Sequence, residues 1–546
     1  MSEKSVAKGV AVLSAAGITV KLLSLLYLPF LLAIIGDEGN GIYAAAYQVY
    51  VLVYVLSNSG IPVAISKLVA ELAAVGNCKD ALRSFKIARF MLLVLGLVMA
   101  LLMFALSYPL SRALHYERSY LAILALSPAL LFTSVSSAYR GYFQGNGDML
   151  PTAVSQIIEQ VVNVVFTLVF AALFLRYGLE AACAGGTIGT SLGALSAAFF
   201  LVRFYRKNYG GALPRRAPNA KVARYSYFQL VRKIVDYGIP ITLGIGLQYA
   251  GNLVDVWNVK SRLLAAGFAD KTATQMYSYL YKYQQLLNAP IAVVAALAAT
   301  ILPAVAAAVA IGDRNRVQDR VNYAFRLCFL VTIPSSVGFC VLSGPIYQLL
   351  QYGQGSYLML YGSTALILLA VVQVQTSILQ GSGKFYQTTF NLVMGIVGKI
   401  LTNYFLVPIP PLYVSGAIIG SIVSYCIPII LNGILIRKTL RIKPRLLKVL
   451  FKPAMASAIM GACIYGSYKA IAVFLNFTKA AYAVNAAATV ISIFLGVVIY
   501  FTLMVLFKGI SREDMDMLPR KLRKLVPQWF FQKAMQEKKE PSGPEV

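Results

Sequence analysis

The chain has 546 residues, of which 59% are hydrophobic and 13% charged, and its mean hydropathy is +0.70. These values exclude an ordinary soluble globular domain and indicate a polytopic membrane protein. The formal net charge of +29 does not indicate a nucleic-acid partner, because the basic residues fall mostly between the apolar runs. Membrane topology and anionic lipid headgroups favour basic residues at such positions.

Fourteen apolar runs are each long enough to cross a bilayer as an α-helix. They predict an all-α polytopic membrane protein with about fourteen transmembrane helices, because closed barrels use strands of only about ten residues. The first run is also too long for the apolar region of a cleaved signal peptide. The runs lie near residues 9–35, 43–73, 84–110, 119–144, 150–176, 179–203, 234–258, 277–310, 322–343, 357–380, 386–407, 413–436, 453–475 and 482–507.

The loops between these runs differ in charge and predict the orientation of the chain. Basic loops lie near residues 203–233, 313–320 and 437–452 and in the tail from Lys508. The alternating loops carry almost no net positive charge, apart from the basic segment 260–271. Because positively charged loops stay in the cytoplasm, both termini are predicted to be cytoplasmic.

Pairs of similar segments indicate an internal repeat. The Gln-Gly pairs at 144–145 and 380–381 are offset by 236 positions, and the segments 180–190 and 414–424 by 234. Chance similarity between apolar helices rich in small residues is the alternative. A duplication predicts an N-lobe with spans 1–6 (1–207), a basic cytoplasmic linker (208–233), a C-lobe with spans 7–12 (234–440), spans 13–14 (441–510) and a basic cytoplasmic tail (511–546).

Lys21 lies near the middle of the first apolar run, roughly 18 Å along a helix from the start of that run. A lysine near the centre of a spanning helix costs at least about 2.5 kcal/mol on insertion scales, so function is the first hypothesis. One alternative is a structural ion pair, for which Glu159 is a candidate partner. The other is a side chain that reaches the interface, which the central position disfavours.

Four other charged residues lie within or beside apolar runs. Asp255 and Arg262 are seven residues apart and project from nearly the same face of a helix. An ion pair that joins neighbouring helices and a role in a cavity are equally compatible with them. Lys282 and Lys399 are further basic residues within apolar runs.

Four tyrosines form a stripe along the second predicted helix. Tyr43, Tyr47, Tyr50 and Tyr54 follow the spacing i, i+4, i+7, i+11. Such stripes usually pack against other helices. A tyrosine wall also stacks on sugar rings and donates hydrogen bonds to them, so contact with a glycan is the second interpretation.

Neither a metal site nor a catalytic constellation is predicted. The six cysteines are scattered without a CxxC pair, and the single histidine, His115, lies in a short loop. The sequence contains no Walker lysine loop, no paired-carboxylate motif and no GxSxG. We therefore expect a protein that is not an enzyme and that uses neither a cofactor nor a metal.

Three segments carry a resemblance to a known family: residues 21–71, "DVWNVKSRLLAAG" (255–267) and "QGSGKFYQT" (380–388). They resemble the polysaccharide-biosynthesis branch of the multidrug/oligosaccharidyl-lipid/polysaccharide (MOP) exporter superfamily, in particular the group of stage V sporulation protein B and the MurJ-like lipid II flippases. The resemblance covers nearly the whole chain and is weakest in the tail.

The resemblance implies two six-helix lobes arranged in a V, which alternate between inward-open and outward-open states. It implies a flippase that moves a lipid-linked cell-wall or polysaccharide precursor to the outer leaflet of the bacterial plasma membrane. Lys21 matches a basic cavity position of the MurJ-like members, but their fuller arginine set is replaced by tyrosines and Lys67 in the second span. The candidate substrate-binding residues are Lys21, Arg262, Asp255, Lys282, Lys399, Tyr43, Tyr47 and Tyr50.

The expected partners are a lipid-linked oligosaccharide and membrane lipids, while monovalent ions, protons and cell-wall synthesis proteins are left open as further partners. The rival functions are a cation-coupled multidrug exporter of the same fold, a membrane glycosyltransferase or ligase, and a non-transporting assembly factor for sporulation or division. The tail segment 518–540 is either an amphipathic helix on the cytoplasmic leaflet or a solvated basic tail.

Overall fold

The computed structural model describes residues 3–209, 224–311, 313–442, 446–474, 481–507 and 509. All regular secondary structure among these residues is helical, as the sequence predicts. The predicted linker is described only at its two ends. The predicted tail and its candidate amphipathic helix lie outside the described residues.

The helices follow one another along the chain with short connections. Two single turns of 3-10 helix, Glu117–Ser119 and Leu175–Tyr177, precede α6 and α8. The bounds are α1 (Glu3–Leu26), α2 (Leu28–Asn58), α3 (Gly60–Ala74), α4 (Cys78–Ala105), α5 (Ser107–Ala113), α6 (Tyr120–Gly145), α7 (Leu150–Phe174), α8 (Leu179–Tyr209), α9 (Tyr227–Ala265), α10 (Asp270–Ile311), α11 (Arg314–Val341), α12 (Ser343–Leu349), α13 (Ser356–Gly362), α14 (Ala365–Gly381), α15 (Phe385–Leu406), α16 (Val414–Leu440), α17 (Leu446–Phe474) and α18 (Ala481–Leu506).

Polar caps determine where several helices begin. At the start of α4, Asn77 Oδ1 accepts a hydrogen bond of 3.2 Å from the Asp80 N–H. At the start of α9, Ser226 and Gln229 form a reciprocal capping box. These side chains satisfy N–H groups that the first turn of a helix leaves without partners, so local sequence fixes both boundaries.

α2 is interrupted at Gly36, whose φ of 64° and ψ of −176° are not helical. Glycine adopts this conformation readily because it has no Cβ. The break falls directly after Ile35, where the first predicted apolar run ends, and places Asp37 at the start of the continuing helix. The chain therefore changes direction within α2 between an apolar and a polar segment.

Ten helical segments of the described chain are long and apolar enough to cross a membrane, or eleven if α13 and α14, which are bent by 52°, form one span. The protein is thus a multi-pass membrane protein, but the predicted count of fourteen is not confirmed. The helices outside this count include α1, in which the search of the described residues finds a shorter apolar helix, Ala15–Leu26, and also α9 and α10. Those two helices have 39 and 42 residues, enough to cross, and carry several of the polar residues described below.

The chain divides into two compact units. The first contains Met1–Ala296 and Ser382–Leu435, and the second contains Leu297–Gly381 and Ile436–Val546. In the second unit, buried polar contacts join helices: the Tyr500 hydroxyl donates to the Leu330 carbonyl at 3.0 Å. The division into six-span lobes stays a prediction.

Glycines on one face of α8 allow α7 to pack closely in the first unit. Gly185, Gly189 and Gly193 are spaced four residues apart, and a Cβ at any of them would overlap backbone atoms of α7. Small residues at this spacing let helices approach within a membrane, where dispersion replaces the hydrophobic effect between helices. This contact fixes α7, whose polar residues face the cavity described next.

Candidate functional site

A polar cavity of about 350 Å³ lies within the first unit. Its walls come from α1, α2, α6, α7, α8, α9 and α10, so helices of both predicted halves contribute. The polar lining residues are Lys21, Ser24, Tyr27, Tyr47, Gln48, Tyr50, Tyr54, Thr133, Glu159, Gln160, Asn163, Thr190, Tyr249, Asn252, Tyr281, Gln285 and Asn288. Such a concave site with convergent polar groups is the usual form of a ligand-binding site.

Lys21 on α1 lines the cavity and is exposed towards it. Within the described part of the chain it makes no ion pair. Glu159, the partner considered from the sequence, instead lies 2.6 Å from Arg140, whose Nε also donates to Ser155 Oγ at 2.9 Å. No carboxylate among the described residues therefore forms an ion pair with Lys21, and the carboxylate that lines the cavity, Glu159, is already paired.

The tyrosine stripe on α2 both packs and faces the cavity. Tyr47, Tyr50 and Tyr54 line the cavity, whereas Tyr43 is 1% exposed and lies behind the wall. The Tyr43 and Tyr47 rings are stacked with centroids 5.9 Å apart, and the Tyr43 hydroxyl lies 3.4 Å from that of Tyr27. Of the three predicted site tyrosines, two thus line the cavity and one packs behind it.

Six carboxamide side chains line the same cavity, and the sequence analysis did not single them out as a set. They are Gln48, Gln160, Asn163, Asn252, Gln285 and Asn288. Some are already oriented by neighbours: Thr167 and Thr190 donate to Asn163 Oδ1 at 3.0 and 3.2 Å, which leaves its amide N–H groups for other acceptors. Pairs three residues apart on α7 and α10 were the signal available, because residues at i and i+3 share a helix face.

Asp255 and Lys399 belong to a separate buried cluster, not to the cavity. Lys399 Nζ lies 2.7 Å from Asp255 Oδ2, and both residues are at most 3% exposed. Asn403 and Gln284 donate to the same carboxylate at 3.0 and 2.8 Å, and the Lys399 ammonium also donates to the Gly251 carbonyl. The cluster joins α9, α10 and α15, which favours the helix-joining role over the cavity role for Asp255.

Arg262 lies neither in the cavity nor in this cluster. Its guanidinium carbon stands 4.2 Å from the centroid of the Tyr404 ring, a cation–π contact between α9 and α15. The structure therefore does not bring Arg262 together with Lys21. Their shared role in cargo binding stays a prediction.

Lys282 is wholly buried and pairs with Asp37, with 2.5 Å between Nζ and Oδ1. Ser278 donates to the same carboxylate oxygen at 3.3 Å, and Asn40 donates to Ser278 at 2.8 Å. These contacts join α2, directly after its break at Gly36, to α10. Lys282 thus connects helices of the two predicted halves beside the cavity.

Both lysines of the basic segment 260–271, an exception to the predicted charge pattern, pair with carboxylates. Lys260 lies 2.7 Å from Asp270, and Lys271 lies 3.5 Å from Glu38. Lys260 also stands 4.1 Å from the ring centroid of Tyr116. Burial raises the pKa of the Tyr116 phenol well above its ordinary value, and the charge of Asp270 adds to the rise, so this hydroxyl stays protonated at physiological pH.

The family model described as "Polysaccharide biosynthesis protein" matches residues 6–309, more than half of the chain. Stage V sporulation protein B of Bacillus subtilis (strain 168) is 27% identical over 526 residues, which cover 95% of this chain and 98% of that protein. Lipid II flippase MurJ of the same organism is 25% identical over 480 residues, covering 84% and 87%.

Solved structures share the fold at low sequence identity. Lipid II flippase MurJ in an inward closed conformation superposes with a TM-score of 0.63 at 16% identity, covering 91% of this chain and 98% of that one. An inward-facing multidrug resistance MATE family transporter of the MOP superfamily gives 0.62 at 15% identity, covering 78% and 98%. The resemblance inferred from the sequence is confirmed: the chain belongs to the polysaccharide biosynthesis protein family and has the fold of the MOP-superfamily transporters.

Proposed function

We propose that the protein is an alternating-access flippase that moves a lipid-linked cell-wall or polysaccharide precursor from the inner to the outer leaflet of the bacterial plasma membrane. One observation carries the proposal: a polar cavity between membrane helices holds one lysine without an ion-pair partner in the described chain. The similarity to MurJ and to stage V sporulation protein B over most of the chain supports it.

The charge of Lys21 suits a lipid-linked diphosphate. A diphosphate carries roughly two negative charges that lose water as the head enters the cavity, and a cation offsets part of that cost. Lys21 lines the cavity in which such a head would lie. Glu159 beside it does not repel the anion at full strength, because Arg140 neutralises its charge.

The membrane potential supplies a driving force for outward movement. Carrying two negative charges across an inside-negative potential of about 100 mV is favourable by roughly 4–5 kcal/mol. The proposed cycle therefore needs no nucleotide hydrolysis in the outward step.

The test measures how much lipid-linked precursor becomes accessible to a membrane-impermeant reagent in cells depleted of their own flippase. The cells are complemented by the intact protein, by Lys21→Ala or by the matched control Lys79→Ala, which removes an exposed lysine on α4. We expect the intact protein and the control to restore accessibility and Lys21→Ala to reduce it at least about tenfold, the effect of losing one charge-assisted contact.

Failure of all three well-expressed proteins to restore accessibility would overturn the flippase proposal. The fold shared with MATE transporters would then favour the cation-coupled exporter. Ethidium efflux that depends on an ion gradient would establish that alternative. If all three proteins restore the accessibility of the precursor, the flippase proposal stands and Lys21 has no role in cargo binding.

A further inference from the structure

The cavity is polar but almost uncharged. Among its described lining residues the only ionisable acid or base groups besides tyrosine are Lys21 and Glu159, and Arg140 pairs with the second. The remaining polar groups are six carboxamides, six tyrosines and three hydroxyls of serine and threonine. This composition differs from that expected of a site for a highly charged cargo, which needs several counter-charges.

A carboxamide presents both hydrogen-bond donors and an acceptor, and a sugar hydroxyl or an N-acetyl group presents the complementary pair. The carboxamides come from four helices, α2, α7, α9 and α10, so they approach a bound head from several sides. Tyrosine rings add flat apolar faces that stack on the C–H face of a sugar ring, and their hydroxyls form hydrogen bonds with the hydroxyl groups of the sugar. The lining is therefore complementary to a neutral glycan.

The charge balance argues against an acidic group on the cargo beyond the diphosphate. Two negative charges of a diphosphate already exceed the single positive charge of Lys21. A further carboxylate would enter the cavity without a counter-charge from the described lining, and an uncompensated buried charge is costly. The volume of about 350 Å³ is also at the lower end for small-molecule sites, which favours a small head over a sugar that carries a peptide.

We infer that the cargo is a polyprenyl diphosphate whose head is a small, uncharged glycan bearing hydroxyl or N-acetyl groups, and that the carboxamides of the cavity select it against a precursor carrying an acidic peptide. This inference rests on the proposed function and narrows its substrate class. Lys21 holds the diphosphate, while Asn252 on α9 and Gln285 on α10 contact the glycan.

The test compares the affinity of three lipids for the purified full-length protein in nanodiscs by native mass spectrometry. The probes are undecaprenyl diphosphate, its derivative with an uncharged disaccharide of two N-acetylglucosamine units, and a derivative whose N-acetylated disaccharide carries a pentapeptide that ends in a carboxylate. We expect the disaccharide lipid to bind at least about tenfold more tightly than either of the others, the ratio produced by one or two well-placed hydrogen bonds or one uncompensated charge.

Variants then locate the selectivity. Asn252→Leu and Gln285→Met keep the side-chain volume and remove hydrogen bonding, and Gln354→Met is the matched control on an exposed loop of the second unit. Each of the two cavity variants should bind the disaccharide lipid about tenfold more weakly than the intact protein does. Their affinity for undecaprenyl diphosphate should change less than about twofold. Lys21→Ala should lower the affinity of the protein for all three lipids, because each of them carries the diphosphate.

Equal or tighter binding of the peptide-bearing lipid would overturn the inference and leave the flippase proposal standing. The same holds if Asn252→Leu and Gln285→Met, folded as judged by an unchanged melting temperature, bind the disaccharide lipid like the intact protein. Absence of binding by all three lipids would instead overturn the proposed function itself.

Discussion

Lys282 and Asp37 form an ion pair in which the lysine is wholly buried and the carboxylate is 24% exposed, one residue after the break in α2. The pair joins α2 to α10. Replacing Lys282 by Met leaves the partly buried Asp37 carboxylate without its cation, and we expect a loss of about 3 kcal/mol in the free energy of unfolding. Thermal unfolding of the purified protein measures it.

The double variant Asp37→Asn, Lys282→Met provides the control for this pair. Removing both charges restores neutrality, so its melting temperature should lie above that of Lys282→Met. A double variant that is less stable than either single variant would contradict the role assigned to the pair.

A second prediction separates two cations that the sequence grouped together. Lys399→Met leaves the fully buried Asp255 carboxylate without its cation and should lower the free energy of unfolding by about 3–5 kcal/mol. Arg262→Met removes a cation–π contact with Tyr404 and should cost only about 0.5–2 kcal/mol. Melting temperatures of the two variants check the ranking, and equal losses would show that Asp255 does not depend on Lys399.

A third prediction concerns the tyrosine stripe. Tyr43→Ala creates a void behind the cavity wall and should destabilise the protein by about 3–5 kcal/mol, by analogy with large aromatic truncations. Tyr47→Ala removes a ring that lines the cavity, so its main effect should be on cargo affinity. Measured on both variants, the loss of stability should be larger for Tyr43→Ala, and the loss of lipid affinity should be larger for Tyr47→Ala.

A fourth prediction tests the close packing of α7 and α8. Gly189→Ala places a methyl group against the backbone of α7 and should cost about 1–3 kcal/mol. Gly466→Ala, on α17, meets no atom within 4 Å and should instead stabilise its helix by about 0.5–1 kcal/mol. We expect the melting temperature to fall in Gly189→Ala and to rise in Gly466→Ala. If both variants shift it in the same direction, close packing of α7 and α8 does not explain the effect of Gly189→Ala.

The sequence predicts the parts of this structure that depend on local composition. Long apolar runs predict helices, and the central position of Lys21 predicts a functional cation, which the structure places in the cavity. The count of fourteen spans rests on apolar length alone, and the described residues account for ten or eleven of them.

The contacts of the site depend instead on residues far apart in the chain. Asp255 and Lys399 are separated by 144 positions, so neither spacing nor periodicity indicates that they meet. The carboxamides were missed for another reason: a neutral amide disturbs an apolar run less than a charge does, and only the folded arrangement collects six of them around one volume.

The same separation has a consequence for biogenesis. The ribosome completes α9 well before α15, and at about 5–20 residues per second the 144 positions between Asp255 and Lys399 take roughly 7–30 s to synthesise. During that interval α9 must remain in or near the membrane while the Asp255 carboxylate lacks its cationic partner. Docking of this helix is therefore a late event in synthesis, and a chain that stops before α15 begins at Phe385 would contain α9 in a form that the bilayer does not readily accept.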